Sequence, residues 1–253
     1  MTIQAITFDF WSTLYHFQQS PRIRQQQHIH EMLTHHGFQY DEQQVTKAME
    51  QAWQIWDDIW RREHYTPEAD AWLGYVINNL GVEIPKSSIN QTALVLEKSV
   101  LHPTTQPVNG VSKTLQLLSK KYRLGIISDT GLGKGDVLRA LLARDGLTPY
   151  FIHCIFSNEF GRSKPHRDVF QAALSELGAE PHQAVHIGDL RHTDIAGAHN
   201  AGMGTIRFAG IRDDREQGYP EADVVIYNYN EIEMALKELE IKLAGESQNG
   251  NSQ

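Results

Sequence analysis

Short apolar runs alternate with helical periods over most of the chain. Apolar strands are predicted at residues 5–8, 123–128, 153–156, 184–188, 204–207 and 224–226. Between and after them, apolar residues recur every three to four positions at 111–121, 133–143, 168–178, 194–201 and 231–243. That spacing marks one buried face of a helix. Strand–helix alternation of this kind predicts an α/β fold, a parallel sheet with helices on both faces.

Residues 16–102 carry helical periods and no clear strand. A first helix is predicted at 21–36, stopped by Gly37. A second starts after Asp41, with Gln44 as its capping-box partner. Its apolar face holds Val45, Met49, Ala52, Trp56 and Ile59, with Trp53 and Trp60 beside them. Tryptophans at helical spacing read as core packing before they read as a ligand platform. A third helix takes Thr66 as cap and Pro67 as its first residue, buries Trp72, Leu73, Val76, Ile77 and Leu80, and ends at Gly81. A fourth covers 88–101. Pro103, Pro107 and Gly110 mark the return to the sheet. The expected organisation is a core of 1–15 and 103–243, an all-helical insert at 16–102, and a polar, aperiodic tail at 244–253 that reads as disordered.

The net charge of −8, with no block of lysine or arginine, argues against nucleic acid or an anionic membrane as partner. No apolar stretch approaches the length that spans a bilayer. The chain enters a strand almost at once, so no signal peptide is expected. Cys154 is the only cysteine, which fits a reducing, cytoplasmic compartment. It reads as a small apolar strand residue rather than a catalytic thiol. A monomer and a homodimer both remain open.

Candidate chemistry gathers at strand ends. Asp9 closes the first apolar run, and strand tips of an open parallel sheet face the ligand crevice. A carboxylate there can attack phosphorus and carry a phosphoryl group. Ser128 ends the run Leu124-Gly125-Ile126-Ile127 and is followed by Asp129-Thr130-Gly131, a hydroxyl placed to bond a phosphoryl oxygen. Lys164, in Gly161-Arg162-Ser163-Lys164-Pro165, brings positive charge. His186-Ile187-Gly188-Asp189, followed by Asp194, offers the hard oxygen ligands that Mg²⁺ prefers. Singly, Ser128 is a turn residue, Lys164 a solvated cation and Asp194 a helix cap. Together they place a nucleophile, a hydroxyl, a lysine and an acid pair on successive tips of one sheet.

This set resembles the four motifs of the haloacid dehalogenase-like (HAD) hydrolase superfamily. The family's Asp-x-Asp-x-Thr is matched by Asp9-Phe10-Trp11-Ser12-Thr13, its strand-end hydroxyl by Ser128, and its lysine by Lys164. Its Gly-Asp with a second Asp is matched by Gly188-Asp189 and Asp194. The resemblance implies a Rossmann-like core with a helical cap inserted after the first motif. It implies that Asp9 is the nucleophile of a phosphatase acting on a small phosphorylated metabolite through an aspartyl-phosphate. It assigns Mg²⁺ to Asp9, the backbone carbonyl of Trp11 and Asp189, with Asp194 in support. Ser128 and Lys164 would hold the phosphoryl group, with Asp129 and Thr13 beside it, Thr13 pinning the loop.

One position departs from the pattern. The family's second Asp protonates the leaving oxygen and later activates water; Trp11 stands in its place. Such assistance is typically worth about 10²–10⁴-fold. Slow turnover of alkyl phosphates is therefore expected, with a smaller handicap on acyl and aryl phosphates. Asp129 is a candidate substitute base. Three alternatives remain: a catalytically silent phosphate-binding module, a phosphonatase using a cap lysine, and a dehalogenase. Lys47, Lys86 and Lys98 read as surface lysines, and Gly188-Asp189 argues against the metal-free dehalogenases. His28, His30, His35 and His36 read as exposed helix histidines, whereas His16 and His192 are the histidines placed near the crevice.

Overall fold

The computed structural model describes residues 2–249, with side chains described through residue 242. β1 (Ala5–Phe8) and β2 (Tyr15–Phe17) open the chain. Four helices follow: α1 (Arg22–His35), α2 (Glu42–Glu63), α3 (Ala69–Leu80) and α4 (Lys86–Lys98). β3 (Thr105–Pro107), α5 (Val111–Leu118), β4 (Arg123–Ser128) and α6 (Gly135–Arg144) come next. The remainder is β5 (His153–Phe156), the short α7 (Ser157–Phe160), α8 (Arg167–Leu177), β6 (Ala184–Gly188), α9 (Ala196–Asn200), β7 (Gly204–Phe208), β8 (Val224–Ile226) and α10 (Ile232–Asn249).

The chain forms two compact units. One holds the large sheet and its helices; the other comprises Phe17–Thr105 and Thr130–Leu141. In the sheet unit, six strands pair in the order β5-β4-β1-β6-β7-β8, and the paired neighbours run parallel. β1 lies in the middle, and its residues are buried on both faces, as a covered parallel strand requires. From β1 the connections run first to β4 and β5 on one side, then cross to β6, β7 and β8 on the other. That reversal places the topological switch point at the carboxyl end of β1. One layer of the core packs Ile127, Ile155, Val169, Phe170, Leu174 and Leu177 with small residues such as Ala184 and Ala198.

In the helical unit, the capping box at the start of α2 is formed: the Asp41 carboxylate accepts from the Gln44 N–H at 2.8 Å, and the Asp41 N–H donates to Gln44 Oε1 at 2.9 Å. Trp56 and Trp60 are buried; Trp53 meets Trp56 at 5.5 Å and Trp72 at 5.1 Å between ring centroids. The tryptophans are packing residues of this unit. α3 begins at Ala69 with Glu68 as its cap position, later than the Thr66-Pro67 start expected. The Trp56 indole N–H donates to the Pro67 carbonyl at 2.8 Å, which ties that segment to α2 ahead of the helix. Thr130–Leu141 belongs to this unit although it follows β4 in sequence: Lys134 Nζ pairs with Glu68 at 2.9 Å and Glu97 at 3.1 Å.

β2 and β3 pair as a separate two-stranded sheet that no hydrophobic run announced. Each has three residues, too few for a period to show. α10 continues through Asn249, and residues 250–253 of the expected tail lie outside the described residues. Among the described residues, no helix is long and apolar enough to cross a membrane.

Candidate active site

β1 and β6 end level with each other, because Phe8 pairs with Ile187 and the Asp9 N–H donates to the Ile187 carbonyl at 2.8 Å. Asp9 therefore leaves the strand tip beside Gly188 and Asp189. Register with β4 brings Ile127 and Ser128 to the same edge. Lys164 arrives from the turn before α8. Its backbone N–H donates to Asp129 Oδ1 at 3.0 Å, so Asp129 holds the lysine's loop in place.

The Lys164 side chain is only 2% exposed. Its ammonium donates to Asp9 Oδ1 at 2.5 Å, to Asp194 Oδ1 at 2.7 Å and to the Ile127 carbonyl at 3.0 Å. All three ammonium hydrogens are thus used. Asp194 lies in a π-helical turn, Arg191–Ile195, and not at a helix cap. That wide turn lets the carboxylate fold back, where Asp194 Oδ2 accepts from the Leu190 N–H at 2.9 Å. His186 Nε2 reaches the other oxygen, Oδ1, at 3.0 Å. Burial pushes the His186 imidazole below its ordinary pKa, so the ring is neutral at pH 7. Facing a carboxylate, its Nε2 carries the proton; its Nδ1 then accepts from the Thr7 hydroxyl at 2.8 Å. A buried line of contacts runs Thr7–His186–Asp194–Lys164–Asp9.

Asp189 is 4% exposed and accepts no hydrogen bond among the described residues. Ligand oxygens of Asp9, Asp189 and Asp194 lie within 4.8 Å of one another. Three buried carboxylates thus face one buried ammonium, and the electrostatics reflect that imbalance. Burial raises the Asp9 carboxyl to about 7, with Lys164 opposing and Asp194 adding to the rise. Burial also raises Asp189 well above the usual carboxylate range, reinforced by the charges of Asp9 and Asp194. Asp194 behaves differently: burial opposes its charge, but Lys164 and His186 together hold it below the usual range. Gly188 is required here, because a Cβ on it would overlap the Asp194 carboxylate.

The remaining expected residues fall as follows. Ser128 is 1% exposed, and its hydroxyl donates to the Asp129 carbonyl at 3.3 Å, a long contact. Trp11 is half-buried, with its ring edge-on to Phe10 at 5.1 Å. Phe10 in turn stacks on Tyr15 at 4.7 Å. Ser12 takes φ +60°, a left-handed conformation disfavoured for a residue with a Cβ. Thr13 is fully buried; its backbone carbonyl accepts from the Tyr229 hydroxyl at 2.9 Å, while its own hydroxyl has no hydrogen-bond partner among the described residues. Lys47, Lys86 and Lys98 are exposed in the helical unit. His192 turns toward Asp214 and Glu216.

Three participants went unassigned at the sequence level. Thr7 and His186 are polar residues in apolar strands, and that polarity within a buried run was the available signal. Arg212, exposed after β7, bears on Asp189 by charge and carried no local signal.

The haloacid dehalogenase-like hydrolase family matches residues 3–202. The chain is 37% identical over 115 residues to the glyceraldehyde 3-phosphate phosphatase of Methanothermobacter thermautotrophicus, covering 45% of this chain and 49% of the relative. It is 28% identical over 225 residues to the protein of that name from Methanocaldococcus jannaschii, covering 86% of this chain and 92% of the relative. The chain thus spans about half the length of the first of these relatives and most of the second. In fold it is similar to YfnB from Bacillus subtilis, solved bound to magnesium, with TM-score 0.66, 16% identity, and 93% and 99% of the two chains covered.

Proposed function

The chain belongs to the haloacid dehalogenase-like hydrolase family, and on that premise we propose that it is a Mg²⁺-dependent phosphatase that carries the phosphoryl group of a small phosphorylated metabolite on Asp9. The observation that carries this reading is the excess of buried carboxylate. Asp9, Asp189 and Asp194 converge within 4.8 Å against the single ammonium of Lys164, and Asp189 accepts no hydrogen bond among the described residues. Buried charge of this kind calls for a counter-ion, and carboxylate oxygens suit Mg²⁺.

Asp9, Asp189 and the Trp11 carbonyl would hold the ion. Asp194 would support them from behind, since Lys164, His186 and the Leu190 N–H already bond its oxygens. When bound, the ion supplies positive charge to the phosphoryl oxygens. The Asp9 carboxylate attacks phosphorus; a P–O bond to Asp9 forms as the bond to the leaving oxygen breaks. Lys164 stays bonded to the Asp9 side and offsets charge on the transferring group. Ser128 re-aims its weakly held hydroxyl at a phosphoryl oxygen. With Trp11 in place of an acid, the leaving oxygen draws its proton from solvent. Water then attacks phosphorus, the P–O bond to Asp9 breaks, and phosphate and the free carboxylate result. Asp129 is committed to the Lys164 N–H and acts by positioning that loop.

The relatives' names point to a small sugar phosphate, which is an alkyl phosphate. Trp11 implies that turnover on such a substrate is slow. It also supports a second reading, a phosphate-binding module without turnover, which calorimetry showing ligand binding without product would select. To test the first, phosphate release from p-nitrophenyl phosphate and acetyl phosphate is measured with and without Mg²⁺, beside Asp9→Asn. Mg²⁺-dependent release that Asp9→Asn abolishes is expected. Equal rates for the two proteins would end the proposal.

A further inference from the structure

A second group of ligand-bearing side chains converges in the sheet unit. His192 lies in the π-helical turn after β6, while Asp214 and Glu216 come from the irregular segment between β7 and β8. One donor atom from each lies within 4.8 Å of the others. His192 is 5% exposed and Asp214 7%, and the Glu216 side chain, 37% exposed, opens the group to solvent.

We propose that His192, Asp214 and Glu216 form a second metal site, which takes a divalent first-row transition ion, Zn²⁺ by its donor set. One imidazole and two carboxylates are ligands that zinc accepts, with water completing the shell. The spacing agrees. His192 Nδ1 and Glu216 Oε2 are 3.5 Å apart, beyond the usual N–H···O length of about 2.9–3.0 Å. Ligand atoms about 2.0–2.1 Å from a tetrahedral zinc stand about 3.4 Å from each other.

The groups around the site hold its ligands in place. Asp214 Oδ2 accepts from the Arg191 N–H at 2.7 Å and Oδ1 from the Glu216 N–H at 3.0 Å. Each oxygen keeps a lone pair for an ion, and such backing orients metal ligands. The His192 ring lies against Tyr219, 5.7 Å between centroids. Arg191 donates to the carbonyls of Tyr219 at 2.8 Å and Pro220 at 3.2 Å, fixing the segment over the turn. The neighbouring acids Asp213 and Glu221 are paired with Arg207 and turn away from the group. The ion would fasten the β7–β8 segment to the turn that carries Asp194. The site does not depend on the phosphatase reading.

The full chain, stripped with a chelator and returned to saturating Mg²⁺, is dialysed against micromolar Zn²⁺, and bound zinc is counted. A single retained equivalent is expected in the unsubstituted protein and in Asp189→Asn. Its loss is expected in His192→Gln and in Glu216→Gln. Circular dichroism checks that each variant is folded, and the solvent-reaching Glu216→Gln carries the test if His192→Gln does not fold. No zinc in the unsubstituted protein overturns the proposal, as does zinc kept by Glu216→Gln. Zinc lost from Asp189→Asn but kept by Glu216→Gln assigns the ion to the Asp9 cluster and also overturns it.

Discussion

On the proposed mechanism, Trp11 is the residue that most alters the chemistry of the site. It stands two positions past the proposed nucleophile Asp9, where the motif resemblance puts an acid/base, and an indole can neither give nor take the proton. Trp11→Asp is expected to raise turnover on an alkyl phosphate by about 10²-fold or more, since general acid–base assistance is worth about 10²–10⁴-fold. Acetyl phosphate, whose leaving group needs little protonation, gains less. Steady-state rates on the two substrates check this; equal gains would show that Trp11 acts otherwise. Gly188 makes a second residue-scale test. A Cβ there overlaps Asp194, and Asp194 cannot yield because Lys164, His186 and the Leu190 N–H hold it. Gly188→Ala is expected to cost about 1–3 kcal/mol of stability, the range for overpacking, and to weaken Mg²⁺ binding. Denaturant unfolding and calorimetry measure the two effects.

At the scale of elements, most of the structure was legible where a period was long or a strand was buried on both faces. β1, β4, β5, β6 and β8 begin and end where the apolar runs do. The start of α2 was legible because a capping box is local chemistry between residues three apart. Asp41→Ala is accordingly expected to lower stability by about 1 kcal/mol, the usual worth of an N-cap, as read by chemical denaturation. Elements set by distant partners were not legible. α3 starts late because Trp56, eleven residues upstream of Pro67, claims the Pro67 carbonyl. Thr130–Leu141 joins the helical unit through Lys134, whose partners Glu68 and Glu97 lie far off in sequence. The π-helical turn holding Asp194 takes the place of the first turn of the helix expected over 194–201, and no sequence period marks a single wide turn. In the site, the residues of the four motifs could be picked out beforehand. The bonds among Thr7, His186, Asp194 and Lys164 could not, because they depend on strand register.

For the molecule as a whole, topology explains why residues so far apart meet. β1 at the switch point of the sheet delivers Asp9, the neighbouring β4 and β6 deliver Ser128 and Asp189, and the turn before α8 delivers Lys164. The central claim is that Asp9 carries the phosphoryl group and that, with Trp11 beside it, hydrolysis of that group is the slow step on acetyl phosphate, whereas on alkyl phosphates, whose leaving oxygen needs an acid, its formation is slower still. The covalent form should then accumulate. The most direct measurement is an acid-quenched labelling experiment with phosphoryl-labelled acetyl phosphate and Mg²⁺. The account predicts a hydroxylamine-sensitive label on Asp9, absent without Mg²⁺ and absent in Asp9→Asn. Phosphate release with no labelled protein at any time, or a label that persists in Asp9→Asn, would contradict it.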